Sequence, residues 1–266
     1  MTNRIQWPLA LSVGTDHMKA KSFDALSDAG IHQVELSSGW PEPFHVIDFP
    51  HRSKDIAKLA RDHGVHISSV HLPFAPLSEI DPSSPDIAVR KHFLDIQTEL
   101  LLASAKAEIG MAIVHPSGEP YEESERSDRL CYAIETISRL CETAKRLGII
   151  LCLENLPRTC LCRTSDEMQH FLKAIPDLYV VFDTNHSLSE DNTHYIHSVG
   201  TRIASLHVSD YDFADERHWL PGEGLNNWGE ILTALEEVGY NGRFLYELRE
   251  GYSYLQIAEN YHSLIS

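Results

Sequence analysis

Eight short apolar runs recur along the chain, at residues 8–13, 32–36, 66–71, 112–115, 149–154, 179–183, 203–208 and 244–248. They are rich in Val, Ile and Leu and read as continuous rather than alternating. That is the pattern of strands covered on both faces, as in parallel sheets. Between the runs the period becomes helical. Ile56, Leu59, Ala60 and His63 follow i, i+3, i+4, i+7. Leu130, Ile134, Ile137, Leu140, Cys141 and Ala144 form a second stripe, and Ile231, Leu235 and Val238 a third. Gly30, Gly64, Gly110, Gly148 and Gly242 each stand just before an apolar run, where a helix C-cap is expected. Thr164-Ser165-Asp166-Glu167 supplies N-cap chemistry after the fifth run.

Strand and helix therefore alternate eight times with no linker or break in composition. This predicts one α/β domain over residues 1–266, a single (β/α)8 TIM barrel. The rival is a doubly wound open sheet, whose nucleotide-binding version needs a Gly-rich turn after the first strand. That turn here is Val13-Gly14-Thr15-Asp16, with neither G-x-G-x-x-G nor a P-loop.

Composition narrows the class of function. The 266 residues are 42% hydrophobic and 23% charged, an ordinary globular balance. No apolar run approaches the ~18 residues of a membrane span. Residues 1–6 lack a basic segment followed by an apolar one, so a cytoplasmic location is expected. The five cysteines, Cys131, Cys141, Cys152, Cys160 and Cys162, are odd in number and form no C-x-x-C pair, so free thiols are expected. Lys+Arg number 22 against 39 Asp+Glu, a net charge of −17 that disfavours nucleic acid and anionic membrane as partners. The loudest signal is 16 histidines.

In a barrel, chemistry lies at the C-terminal ends of the strands. The third run ends "SSVHLPF" with His71, and the fourth "AIVHPSG" with His115. The fifth ends "LCLENLP" with Glu154, and the sixth "VVFDTNH" with Asp183 and then His186. The seventh ends "ASLHVSD" with His207 and is followed by "ERHWLPGEG", which carries Glu216, Arg217 and His218. The eighth ends "FLYELRE" with Glu247 and Arg249. Glu154 and Glu247 are embedded in apolar sequence, where an unpaired carboxylate is costly and a shared divalent cation removes the cost. Two Glu, one Asp and one His form a mixed O/N set suited to Zn²⁺, Mn²⁺, Co²⁺ or Mg²⁺. The alternative is a buried ion-pair network without metal.

These motifs resemble the xylose isomerase-like barrel superfamily, which holds sugar isomerases, sugar epimerases and endonuclease IV-type DNA-repair enzymes. The resemblance implies a metal held by Glu154, Asp183, His207 and Glu247, with the two glutamates also serving as the acid/base pair. It places His186, with Arg217 or His218, against substrate hydroxyls. The implied activity is isomerisation or epimerisation of a sugar or sugar phosphate by proton transfer through an enediolate. Ketose 3-epimerases carry a second Glu six residues after the first, where this chain has Cys160; "LENLPR" is more similar to the broad sugar-phosphate isomerase-like group. The rival implied by the same superfamily is zinc-dependent phosphodiester cleavage of abasic DNA. It would use nine ligands: His71, His115, Glu154, Asp183, His186, His207, Glu216, His218 and Glu247. Asp210, Asp212, Asp215 and Glu216 in the loop after the seventh run would repel a phosphate backbone. A metal-dependent sugar dehydratase and a non-catalytic sugar-binding barrel stay open.

Further candidates have plainer alternatives as loop or surface residues. Trp40, Phe74 and Trp219 could wall a sugar ring, His71 and His115 could line the substrate site, and Arg158, Arg163 and Arg249 could hold a substrate phosphate. A homo-oligomer is compatible with such a barrel, but no interface can be read from the sequence.

Overall fold

The computed structural model describes residues 7–37, 48–119 and 121–265. Among the described residues, eight strands and eight α-helices alternate: β1 (Leu9–Val13), α1 (Ala20–Asp28), β2 (Gln33–Ser37), α2 (Phe49–Asp62), β3 (His66–His71), α3 (Ile87–Lys106), β4 (Met111–Val114), α4 (Arg126–Arg146), β5 (Ile150–Glu154), α5 (Ser165–Ala174), β6 (Tyr179–Asp183), α6 (Asn192–Val199), β7 (Ile203–His207), α7 (Trp228–Glu237), β8 (Phe244–Tyr246) and α8 (Tyr254–Ile265). All strand pairs are parallel, in the order β7-β6-β5-β4-β3-β2-β1-β8. The ring closes between β7 and β8, where Val208 N–H donates to Leu245 O at 2.8 Å and Glu247 N–H to Val208 O at 3.1 Å. The chain is thus the expected (β/α)8 barrel.

Two separate apolar clusters explain the unbroken strand runs. The main core lies between sheet and helices and takes one face of each strand, for example Leu151, Leu153, Val180 and Phe182. The barrel interior is a second cluster of Met111, Ile113, Cys152 and Val181. Side chains of a strand alternate faces with period two. Cys152 and Glu154 therefore point the same way, as do Val181 and Asp183. On β5 and β6 an apolar residue low in the barrel thus has a polar one directly above it at the rim.

Helix ends follow the expected chemistry with one correction. Thr164 Oγ1 accepts from Glu167 N–H at 3.4 Å and caps α5. Gly148 adopts φ +72° two residues past α4, a conformation that an L side chain resists. Gly110 and Gly242 are not left-handed; after α3 and α7 that role falls to Glu108 (φ 63°) and Gly239, because these helices end earlier than the sequence suggests. All five cysteines are free. No helix among the described residues is long and apolar enough to cross a membrane.

Candidate functional site

Glu154, Asp183 and His207 are the last residues of β5, β6 and β7, and Glu247 follows the last residue of β8. Their side chains meet: each offers a ligand atom, and the four atoms lie within 4.8 Å of one another. His207 Nδ1 is 3.0 Å from Glu154 Oε1 and 3.2 Å from Glu247 Oε2. Glu154 is the hub, since its Oε2 also lies 3.0 Å from His71 Nε2 and 3.1 Å from His115 Nε2. Asp183 Oδ1 accepts from Asn185 N–H at 2.6 Å, whereas the buried Oδ2 has no hydrogen-bond partner. His186 Nδ1 stands 3.5 Å from Oδ2, and a buried carboxylate oxygen without a hydrogen bond costs free energy unless something else binds it. With three carboxylates and one imidazole around it, the donor set fits a hard or borderline divalent cation.

A second group sits beside the first. His186 Nε2 is 3.0 Å from Glu216 Oε2, and His218 Nε2 approaches the same oxygen at 3.9 Å. Glu216 Oε1 is held by Arg158 Nη2 at 2.6 Å. Asn185, buried beneath this loop, accepts from the backbone N–H groups of Arg217 and His218 through one oxygen, at 2.9 and 3.2 Å. That clamp supports His218 in a left-handed conformation, φ 50°. The two groups share a cavity of about 340 Å³, whose wall includes Phe74, His115, Glu154, Cys160, His186 and Glu247. Phe74 stacks on His115, ring centroids 4.4 Å apart.

Burial and charge oppose each other in this cluster. Burial pushes the Glu154 carboxyl up, but His207, His115 and His71 together hold it well below the usual carboxylate range. Burial lowers His207, yet Glu247, Glu154 and Glu35 raise it well above an ordinary histidine. Burial likewise lowers His186, and Asp183, Glu216 and Glu154 lift it to about 10. Asp183 is raised to about 6, chiefly by burial and against the pull of His186 and His218. Burial raises Glu216, but His186 and Arg158 bring it down to about 2. His71 and His115 share one oxygen of Glu154 and part ways: burial is outweighed at His71, which is raised, and prevails at His115, which is lowered.

Several candidates stand elsewhere than the sequence suggests. Trp40 lies outside the described residues. Arg217 does not line the cavity; its guanidinium pairs with Asp212 at 2.8 Å and lies over Trp219. Arg249 and the Trp219 beneath it also stand off, and Arg249 borders a separate cleft of about 620 Å³ between the ends of β1 and β8. Arg158 is committed to Glu119, Asp215 and Glu216, and Arg163 to Glu123. The acidic loop after β7 is less repulsive than its sequence reads. Asp210 is fully buried, accepting from Gly222 N–H, Asn226 N–H and Trp228 Nε1, and Asp212 and Asp215 are ion-paired. Arg217 folds back onto a carboxylate of its own loop, whereas Arg158 and Arg163 reach carboxylates of the loops after β4 and β7.

Sequence reading passed over Glu35. It is fully buried on β2, accepts from Ser69 Oγ at 2.8 Å and lies 3.0 Å from His207 Nε2. Its signal was the one that marked Glu154: a glutamate inside an apolar run, here "QVELSS".

Relatives of known activity are sugar epimerases. D-psicose 3-epimerase of Ruminiclostridium cellulolyticum is 28% identical over 237 residues, covering 85% of this chain and 76% of that one. Fructoselysine 3-epimerase of Escherichia coli O157:H7 is 31% identical over 121 residues, 43% of this chain and 44% of that one. Among solved structures, a D-tagatose 3-epimerase-like protein superposes with a TM-score of 0.81 at 23% identity, over 97% of this chain and 98% of its own, a likeness of fold. The family described as xylose isomerase-like TIM barrel matches residues 23–262, and with the eight-stranded barrel and its rim of carboxylates and histidines, the chain belongs to that family.

Proposed function

We propose that this chain is a divalent-cation-dependent sugar epimerase or isomerase that works by proton transfer. The observation that carries the reading is the convergence of Glu154, Asp183, His207 and Glu247 beside a cavity sized for a small molecule, which Glu154 and Glu247 line. A divalent cation held by these four would polarise a sugar carbonyl and its neighbouring hydroxyl and so acidify the carbon-bound proton between them. Glu154 and Glu247 come from strands separated by β6 and β7, which suits them to opposite sides of one substrate carbon. One carboxylate takes the proton from carbon and the other returns one; delivery to the opposite face inverts that centre, and transfer between adjacent atoms interconverts aldose and ketose. His186 and His218, whose Nδ1–H groups are tied to backbone carbonyls, offer Nε2 to substrate hydroxyls. Glu119, Glu154, Glu216 and Glu247 line the cavity with Arg158 as its one arginine, itself shared among three carboxylates. This balance favours an uncharged sugar over a sugar phosphate.

The test is a panel of free and phosphorylated sugars in D₂O, followed by NMR, with metal-loaded wild type, Glu154→Gln and Glu247→Gln. Deuterium should enter beside the carbonyl with wild type, and each variant should lose ~10²–10⁴ in rate, the worth of a positioned acid or base. Full turnover by a metal-loaded Gln variant would remove that residue from proton transfer. A second reading, phosphodiester cleavage, draws on the neighbouring His186–Glu216–His218 group as a further cation site. Three ions per chain in metal analysis would favour it; one ion favours proton transfer.

A further inference from the structure

His207 is held differently from the other histidines of the site. His71, His186 and His218 each donate Nδ1–H to a backbone carbonyl, those of Leu72, Asn155 and Glu247, and turn Nε2 toward neighbouring carboxylates. In His207 the ring is reversed. Nε2 faces Glu35 Oε1 at 3.0 Å, and Nδ1 faces Glu154 and Glu247. Glu35 pairs in register with Ser69, two residues before His71 at the rim, so its carboxylate lies one layer below the site. Both of its oxygens are committed, Oε2 to the Ser69 hydroxyl and Oε1 to the imidazole. The His71 ring stacks alongside His207, centroids 5.7 Å apart and 22° from parallel, which limits its rotation.

A fully buried carboxylate is a costly way to fill a barrel interior that β4, β5 and β6 fill with Ile113, Cys152 and Val181. Its hydroxyl partner alone offsets little of that cost. An ionised carboxylate can only accept, so when a cation takes the place of the proton on Nδ1, the proton that remains belongs on Nε2, facing Glu35. A carboxylate partner also makes an imidazole a stronger ligand than a carbonyl partner does.

We infer that Glu35 is a positioning residue that fixes the tautomer and ring orientation of His207, so that Nδ1 is the atom presented to the cation; this rests on the cation site proposed above. The test is zinc titration by calorimetry of wild type, Glu35→Gln and Glu35→Ala. It is paired with ¹⁵N–¹H long-range NMR of the zinc-loaded imidazoles, with His207 assigned from His207→Ala. Wild type should carry the His207 proton on Nε2. Glu35→Ala should bind zinc ~10–100-fold more weakly, the usual cost of losing such a partner, and should no longer hold His207 in one tautomer. Glu35→Gln keeps an accepting oxygen without the charge. It should keep the tautomer and lose ~10-fold or less, and it carries the test if the Ala variant does not fold. Unchanged zinc affinity in Glu35→Gln and Glu35→Ala, or a wild-type His207 protonated on Nδ1, would overturn the inference. A wild type that binds no divalent cation would overturn the cation site itself, a failure visible without any variant.

Discussion

At the scale of single residues, the site is a set of charges that balance one another in the metal-free protein, and this has a consequence for pH. His207 and His186 are raised above the ordinary value of ~6.5, and Asp183 above its ordinary ~3.9. A group whose folded pKa is raised stabilises fully below its unfolded value, and the contribution fades as pH climbs through the folded value. Glu216 is depressed to about 2, so its contribution is present above ~4.3 and lost as pH falls through about 2. After chelation, the melting temperature should therefore peak in mildly acidic solution and decline from there toward about pH 10. Metal reverses the trend, because a cation must displace the His207 proton and binds more tightly as pH rises. Differential scanning calorimetry of chelated and metal-loaded protein from pH 3 to 10 checks both slopes. Parallel curves would show that the cation does not compete with these protons. His207→Ala should lose metal by direct analysis, whereas an unchanged metal content would take His207 out of the site.

At the scale of elements, the rim loops are held by buried side chains acting on backbone. Asp210, one turn of chain beyond β7, gathers four donors: Tyr211 N–H, Asn226 N–H, Gly222 N–H and Trp228 Nε1. This ties the start of α7 to the loop that delivers Glu216 and His218. Asp210→Asn places an amide donor among donors and should cost roughly 1–3 kcal/mol, the penalty for a buried unsatisfied group. Asp212→Asn, on the half-exposed Arg217 pair, should cost less than Asp210→Asn. Urea unfolding of the two variants compares them, and equal stabilities would mean that Asp210 does not anchor the loop. The eight strands, the helical stripes of α2, α4 and α7 and the cap of α5 were legible in the sequence, because burial on both faces and helical period are local signals. The early ends of α3 and α7 were not, because Glu108 adopts a left-handed conformation that no composition rule marks.

For the whole molecule, the net charge of −17 and the geometry of the rim bear on partners together. Long-range repulsion from that charge opposes a polyanion even though the β7 loop is largely neutralised by Arg158 and Arg217. Abasic duplex DNA should therefore bind weakly at physiological salt, with no useful metal-dependent incision. Fluorescence anisotropy and a nicking assay test this, and efficient strand cleavage would reverse the ranking of the two readings.

The amino-acid sequence alone determined the alternation of strand and helix, hence the barrel. It also determined which residues stand at strand ends, since a period of two and an order of elements put Glu154, Asp183, His207 and Glu247 on one rim. Tertiary structure decided what depends on closing the ring. Closure brings β2 across from β7, so that Glu35 reaches His207 over 172 positions of chain. It also turns Arg163 onto Glu123 rather than into the cavity, and shares Arg158, at the cavity wall, among Glu119, Asp215 and Glu216. The physical reason is range: strand and helix patterns are set by neighbours a few residues apart. The partner of a buried charge is whatever the fold places within hydrogen-bond reach, and no local pattern carries that distance.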